Sequence, residues 1–192
     1  FMRIWNSEGG EVAACGNGAR AVAHLILEET GKQMVTIQTE ADMLKGYKAL
    51  GGLVTVDMGS PLMGWEDIPL AVVSMGNPHA VFFVKDVDAF NIPQLGPLVE
   101  WHPLFPEGTN VGFAQVLDRE NIRLRVWERG AGLTKACGTG ACAALVCAAR
   151  AGLTERTAKL ILDGGELLID WRESDDHVYM TGPVELEFET II

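Results

Sequence analysis

Two cysteines, Cys15 and Cys137, each open the same short motif, Cys-Gly-x-Gly. A thiol accepts protons usefully near neutral pH only if its pKa falls from the ordinary value of about 8.5. The start of a helix lowers it, because the first backbone N–H groups have no internal partner and the helix dipole is positive there. Both cysteines are expected at such a position. Gly16, Gly18, Gly138 and Gly140 carry no side chain, so a ligand can approach the backbone closely. The amides of Gly16, Asn17, Gly138 and Thr139 would then form an anion pocket. Such a pocket would hold a carboxylate and stabilise the charge that grows on it when its neighbouring C–H loses a proton. Taken singly, a cysteine at an Ala-rich helix start reads equally well as an inert packing residue.

The pair gains its meaning from a duplication. Residues 2–19 and 124–141, aligned at a constant offset of 122, agree at eight of eighteen positions, among them Arg3/Arg125, Trp5/Trp127, Cys15/Cys137 and Gly18/Gly140. A weaker match downstream, Gly59 with Gly182, runs at an offset of 123. Two units with so long a period are a duplicated domain rather than a stacked array. Two copies related by a pseudo-twofold axis would present their thiols to a central ligand from opposite sides. That geometry inverts a stereocentre: one sulfur removes a proton and the other returns one.

Each copy follows one plan. A strand (Met2 to Trp5; Ile122 to Trp127) leads through a Gly-rich loop into the cysteine helix, which stops near Gly31 or Gly152, where glycine suits the position after a helix. Strand-like segments follow at Met34 to Thr39 and Leu53 to Met58, and at Lys159 to Leu162, Glu166 to Trp171 and Val178 to Thr181. The expected fold class is α+β: two pseudo-symmetric domains, each a central helix wrapped by a mostly antiparallel sheet or open barrel. The boundaries read as 1–70, 71–182, and a final strand at 183–192 returning to the first domain. About 65 residues lead into Cys137 from Val72, against 14 before Cys15, so the chain reads as part of a longer protein.

A net charge of -11 argues against a nucleic-acid surface, which needs clustered Lys and Arg. The longest small-and-apolar run, Ala136 to Ala149, is too short for a membrane span and reads as a buried helix. Four cysteines in 192 residues do not make a disulfide framework, which points to reduced thiols in a cytoplasmic setting. Cys142 and Cys147 read as packing residues. Spacings of five among Cys137, Cys142 and Cys147 lack the ligand pairs of a zinc site, so no metal is expected. The Gly-x-Gly loops carry neither the P-loop lysine nor a full dinucleotide fingerprint.

The segments NSEGGEVAACGNGAR, SMGNPHAVFFV, TNVGF and ERGAGLTKACGTGACAA resemble the diaminopimelate epimerase family, and the resemblance runs through essentially the whole chain. It implies interconversion of LL- and meso-diaminopimelate by a thiol pair, without pyridoxal phosphate or other cofactor. It further implies two similar domains with the ligand between them. By resemblance Cys15 and Cys137 are the base and acid, His79 assists the first thiol and Glu128 the second. Asn6, Asn77, Asn110 and Arg129 match positions that bind the distal amino-acid end of the substrate. A guanidinium can hold a carboxylate through two parallel bonds, and an asparagine offers both donor and acceptor. Leu133 stands where the family usually has Glu, and the stretch between Pro69 and Val72 is about twenty residues short of the family pattern. The expected partner is a small-molecule amino acid, and a homodimer is compatible with the sequence. Other readings are a racemase of histidine or proline type, or a binding or redox protein of the same fold.

Overall fold

The computed structural model describes residues 1–5, 9–63 and 71–185. In chain order the first repeat contributes α1 (Gly16–Thr30), β1 (Met34–Gln38), β2 (Met43–Lys48) and β3 (Val54–Asp57). Then come β4 (Leu62–Met63), β5 (Ala71–Ser74), β6 (Pro78–Phe83), α2 (Ile92–Glu100), β7 (Asn110–Asp118), β8 (Asn121–Glu128) and β9 (Gly132–Thr134). The second repeat closes with α3 (Gly138–Arg150), β10 (Thr157–Leu162), β11 (Gly165–Trp171) and β12 (Val178–Gly182). This is the α+β class, and its strands join one sheet in the order β1-β2-β3-β12-β11-β10-β8-β7-β6-β5-β4, with β9 added beside β8.

The middle of that order exposes the duplication. β3 and β12, equivalent strands of the two copies, pair antiparallel, with Val56 opposite Met180 and Asp57 opposite Tyr179. At the offset of 123, Val56 corresponds to Tyr179 and Asp57 to Met180, so each pair maps onto the other, as a local twofold axis through the ladder requires. Thr55 and Thr181 hydroxyls meet across this seam at 2.6 Å.

α1 buries Ala19, Ala23 and Leu27, spaced four apart on one face, against β1 to β3. It stops at Gly31, whose φ of 67° is the left-handed conformation glycine adopts freely and whose N–H closes on the Leu27 carbonyl. α3 is buried from Gly138 to Ala148 because sheet covers it on several sides, which is why its sequence is Ala-rich with no polar face.

One expected strand needs adjustment. Residues 2–5 form no ladder: Trp5 makes an isolated bridge to Glu11, and the Met2 N–H reaches the Gln38 carbonyl at 2.8 Å. The equivalent β8 is flanked by β7 and β10, whereas no strand flanks residues 2–5 on their other side among the described residues. α2 goes unread in the sequence because Gly96 and Pro97 lie inside it, but Pro93 in the first turn costs no hydrogen bond. The proposed final strand falls mostly outside the described residues, and 183–185 carry no strand.

Candidate active site

Cys15 is the N-cap of α1 and Cys137 the N-cap of α3, and both have extended backbones. Each sulfur accepts the N–H three residues on, Gly18 at 3.4 Å and Gly140 at 3.3 Å. The helical ladders begin with Ala19 bonded to the Cys15 carbonyl and Ala141 to the Cys137 carbonyl. The N–H groups of Gly16, Asn17, Gly138 and Thr139 precede those bonds and have no intrahelical acceptor.

The two helix starts touch. A Cβ placed on Gly16 would lie 3.4 Å from the Gly138 backbone, and one on Gly138 would lie 3.1 Å from the Asn17 nitrogen. Met180, beside the twofold seam, packs against both glycines, and the Asn17 amide donates to the Ala136 carbonyl at 3.3 Å. Glycine leaves room for this approach, so the matched Cys-Gly pairs meet across the axis.

Cys15 and Cys137 both line one cavity of about 330 Å³. Its wall includes five pairs equivalent at the offset of 122: Val12/Thr134, Ala14/Ala136, Cys15/Cys137, Gly16/Gly138 and Asn17/Thr139. Asn77, Asn110, Glu128 and Arg129 complete the polar lining, and Ile4 and Trp5 add apolar surface. Of the residues singled out from the sequence, Asn6 lies outside the described residues and His79 is absent from the wall.

His79 lies in the sheet between β5 and β7 with no exposed surface, and its Nε2 meets Asn77 Oδ1 at 3.0 Å. It therefore connects to the cavity through Asn77. Its Nδ1 has no hydrogen-bond partner among the described residues. Burial, followed by the Arg129 charge, pushes the imidazole down to about 3, so the ring is neutral at ordinary pH.

The two thiols differ. Cys15 is partly exposed, whereas Cys137 is 4% exposed. The expected acidification fails at Cys137: burial raises its pKa well above the usual thiol value, and the Glu128 charge adds to the rise. Hydrogen bonds from Thr139 and the Gly140 N–H pull the other way but are outweighed, because a thiolate stripped of water loses more than two bonds return. Cys142 and Cys147 are packing residues as expected, both buried and pushed up to about 12.

Asn110 ties the far wall together: its Oδ1 accepts the Arg129 N–H and its amide donates to the Pro78 carbonyl, both at 3.0 Å. The Arg129 guanidinium donates to the Glu107 carbonyl at 2.8 Å. Thr134 is not singled out by the sequence; its hydroxyl donates to the Glu128 carboxylate. Its counterpart at the repeat offset is Val12, so the symmetry that marked the cysteines also pointed to this position.

The family model for diaminopimelate epimerase matches residues 1–63 and 71–187. This chain belongs to the diaminopimelate epimerase family. A diaminopimelate epimerase from Afipia carboxidovorans is 49% identical over 215 residues, spanning 98% of this chain and 74% of that protein. One from Caulobacter vibrioides is 51% identical over 213 residues, with the same two shares. Among solved structures, a hydroxyproline epimerase from Agrobacterium vitis with bound trans-4-hydroxy-L-proline superposes with a TM-score of 0.72 at 16% identity, over 94% of this chain and 66% of that one. A PhzF-family phenazine biosynthesis protein from Bacillus anthracis gives 0.67 at 17%, over 94% and 76%. These last two share the fold. As a member of the family the protein is an isomerase, an epimerase that works without pyridoxal phosphate. No helix of this epimerase among the described residues is long and apolar enough to cross a membrane.

Proposed function

We propose that this chain inverts one α-carbon of diaminopimelate, interconverting the LL and meso forms by two-base proton transfer between Cys15 and Cys137. The observation that carries the reading is the one cavity whose wall includes five residue pairs equivalent under the duplication, both N-cap cysteines among them. In this reading the reacting carboxylate lies against the N–H groups of Gly16, Asn17, Gly138 and Thr139. Thiolate at one sulfur takes the α-hydrogen and the electron pair spreads into that carboxylate, where the amides stabilise it. The thiol opposite then delivers its proton to the other face. Each turnover inverts one centre and exchanges the protonation of the two sulfurs.

The raised pKa of Cys137 supports its resting as the thiol, which leaves the acceptor role to Cys15 at the start of the cycle. In this reading Glu128, held by the Thr134 hydroxyl, receives and returns the Cys137 proton. His79 acts on the Cys15 side through Asn77. Arg129, Asn77 and Asn110, with Asn6, hold the distal amino-acid head, a group that a simple proline substrate lacks. Four free cysteines suit a reducing cytoplasm, and the substrate assigns the enzyme to lysine and peptidoglycan precursor synthesis.

The test is incubation of purified protein with LL-diaminopimelate in deuterated water under reductant, following the meso isomer and α-deuterium by NMR. Wild type should form meso product, and Cys15→Ser and Cys137→Ser should each abolish it. Full epimerisation by either variant, or racemisation of another amino acid with diaminopimelate untouched, would overturn the reading.

A further inference from the structure

Glu100 ends α2 and is 5% exposed, yet it lies outside the cavity wall. A carboxyl group withdrawn from water costs free energy unless its oxygens are occupied. Both are: Oε2 accepts the Trp127 indole N–H at 2.6 Å, and Oε1 accepts the Gly130 N–H at 3.0 Å. Those two donors bracket Glu128 and Arg129, which do line the cavity. The Glu100 carbonyl also accepts the Thr109 N–H at 3.0 Å, one residue before Asn110. One residue thus grips the starting end of β7 and the finishing end of β8.

α2 is pressed close to make this possible. A Cβ on Gly96 would stand 2.4 Å from the Trp127 ring, so only glycine lets the helix settle on the indole. The first repeat uses the position of Trp127 differently: its counterpart Trp5 is 54% exposed and faces the cavity.

We infer that Glu100 is a positioning residue for the reaction, a brace that sets Glu128 and Arg129 from behind the wall. The inference rests on the roles proposed above for those two side chains. A carboxyl group suits the task because two N–H donors converge on it from either side of the pair. An amide offers one acceptor oxygen and turns its own N–H groups on the other donor.

The experiment is Glu100→Gln, compared with wild type for kcat and KM on diaminopimelate and for thermal unfolding. Slackening the loop shifts Arg129 and Glu128 together, so KM should rise and kcat fall, lowering kcat/KM by about tenfold, the effect of one lost hydrogen bond transmitted to the reacting groups. A change in KM separates positioning from mere folding, since a smaller folded fraction lowers apparent kcat and leaves KM alone. If Glu100→Gln does not fold, Trp127→Phe removes the Oε2 bond from the other side and should move KM in the same direction. Where both fold, the double variant should lose less than the two single losses combined. Unchanged KM in the variants, or independent effects in the double variant, overturns the brace. Failure of wild type to turn over diaminopimelate would instead strike the reading of the site itself.

Discussion

Replacing Gly138 by alanine inserts one carbon into the contact between the two cysteine-bearing helix starts. That Cβ would stand 2.9 Å from Met180 Sδ and 3.1 Å from both the backbone nitrogen and Oδ1 of Asn17. Carbon contacts are comfortable at about 3.5 to 4.0 Å, so relief demands a displacement of about half an ångström. The Met180 side chain can swing aside, but the Asn17 nitrogen moves only if the start of α1 moves, and Cys15 caps that helix. The thiols would then part. A misplacement of about 1 Å can cost about a hundredfold in rate, so half of it should cost about tenfold in kcat. Overpacking costs about 1–3 kcal/mol and the helix preference of alanine over glycine returns about 1, so a net loss of about 1 kcal/mol in stability is expected. Gly16→Ala should do less: its Cβ meets the Met180 methyl at 3.0 Å but the Gly138 backbone only at 3.4 Å. The assay is epimerisation kinetics from each isomer with α-deuterium exchange, alongside thermal melts. Wild-type kcat in Gly138→Ala, or a greater loss in Gly16→Ala, would refute the idea that contact between the helix starts sets the spacing of the sulfurs.

Other expectations follow from the same site. Arg129→Lys should raise KM for diaminopimelate about tenfold or more with a smaller change in kcat, because an ammonium cannot bond the Glu107 carbonyl and grip a carboxylate with a planar fork; an unchanged KM counts against the distal-head assignment. Glu128→Gln removes the second cause of the raised Cys137 pKa, so the alkaline limb of the rate profile, where the donor thiol is lost, should move to lower pH. A limb that stays put would show that Glu128 does not act on Cys137. His79, at about 3 in the folded protein against an ordinary 6.5, makes the unfolded chain bind more protons between those values. Stability present above pH 6.5 should therefore drain as pH falls towards 3, by an amount on the order of 5 kcal/mol. His79→Gln should flatten that part of a denaturant-midpoint profile, and an unaltered slope would contradict it.

Residue identity and a constant offset were enough to pair Cys15 with Cys137, because a duplicated stretch keeps its glycines where a helix must start and a ligand must come close. The same offset made the pseudo-twofold axis legible, and with it the α+β plan and most of the strands. It also held Val12 and Thr134, which went unnoticed because neither side chain announces chemistry. What the sequence by itself could not decide is how far each equivalent group is removed from water. Cys15 and Cys137 share a motif and a helix position, yet Cys137 is buried beside Glu128, and desolvation overrides the helix dipole that their common pattern advertised. His79, which the resemblance pairs with the first thiol, ends up sealed between strands from distant parts of the chain. Glu100 lies in a Pro- and Gly-interrupted stretch that shows no helix in the sequence, and only the docking of α2 on Trp127 turns it inward. Helix starts and repeats are written locally, whereas the dielectric around a titrating group is assembled from segments far apart in sequence, so only the tertiary structure sets it.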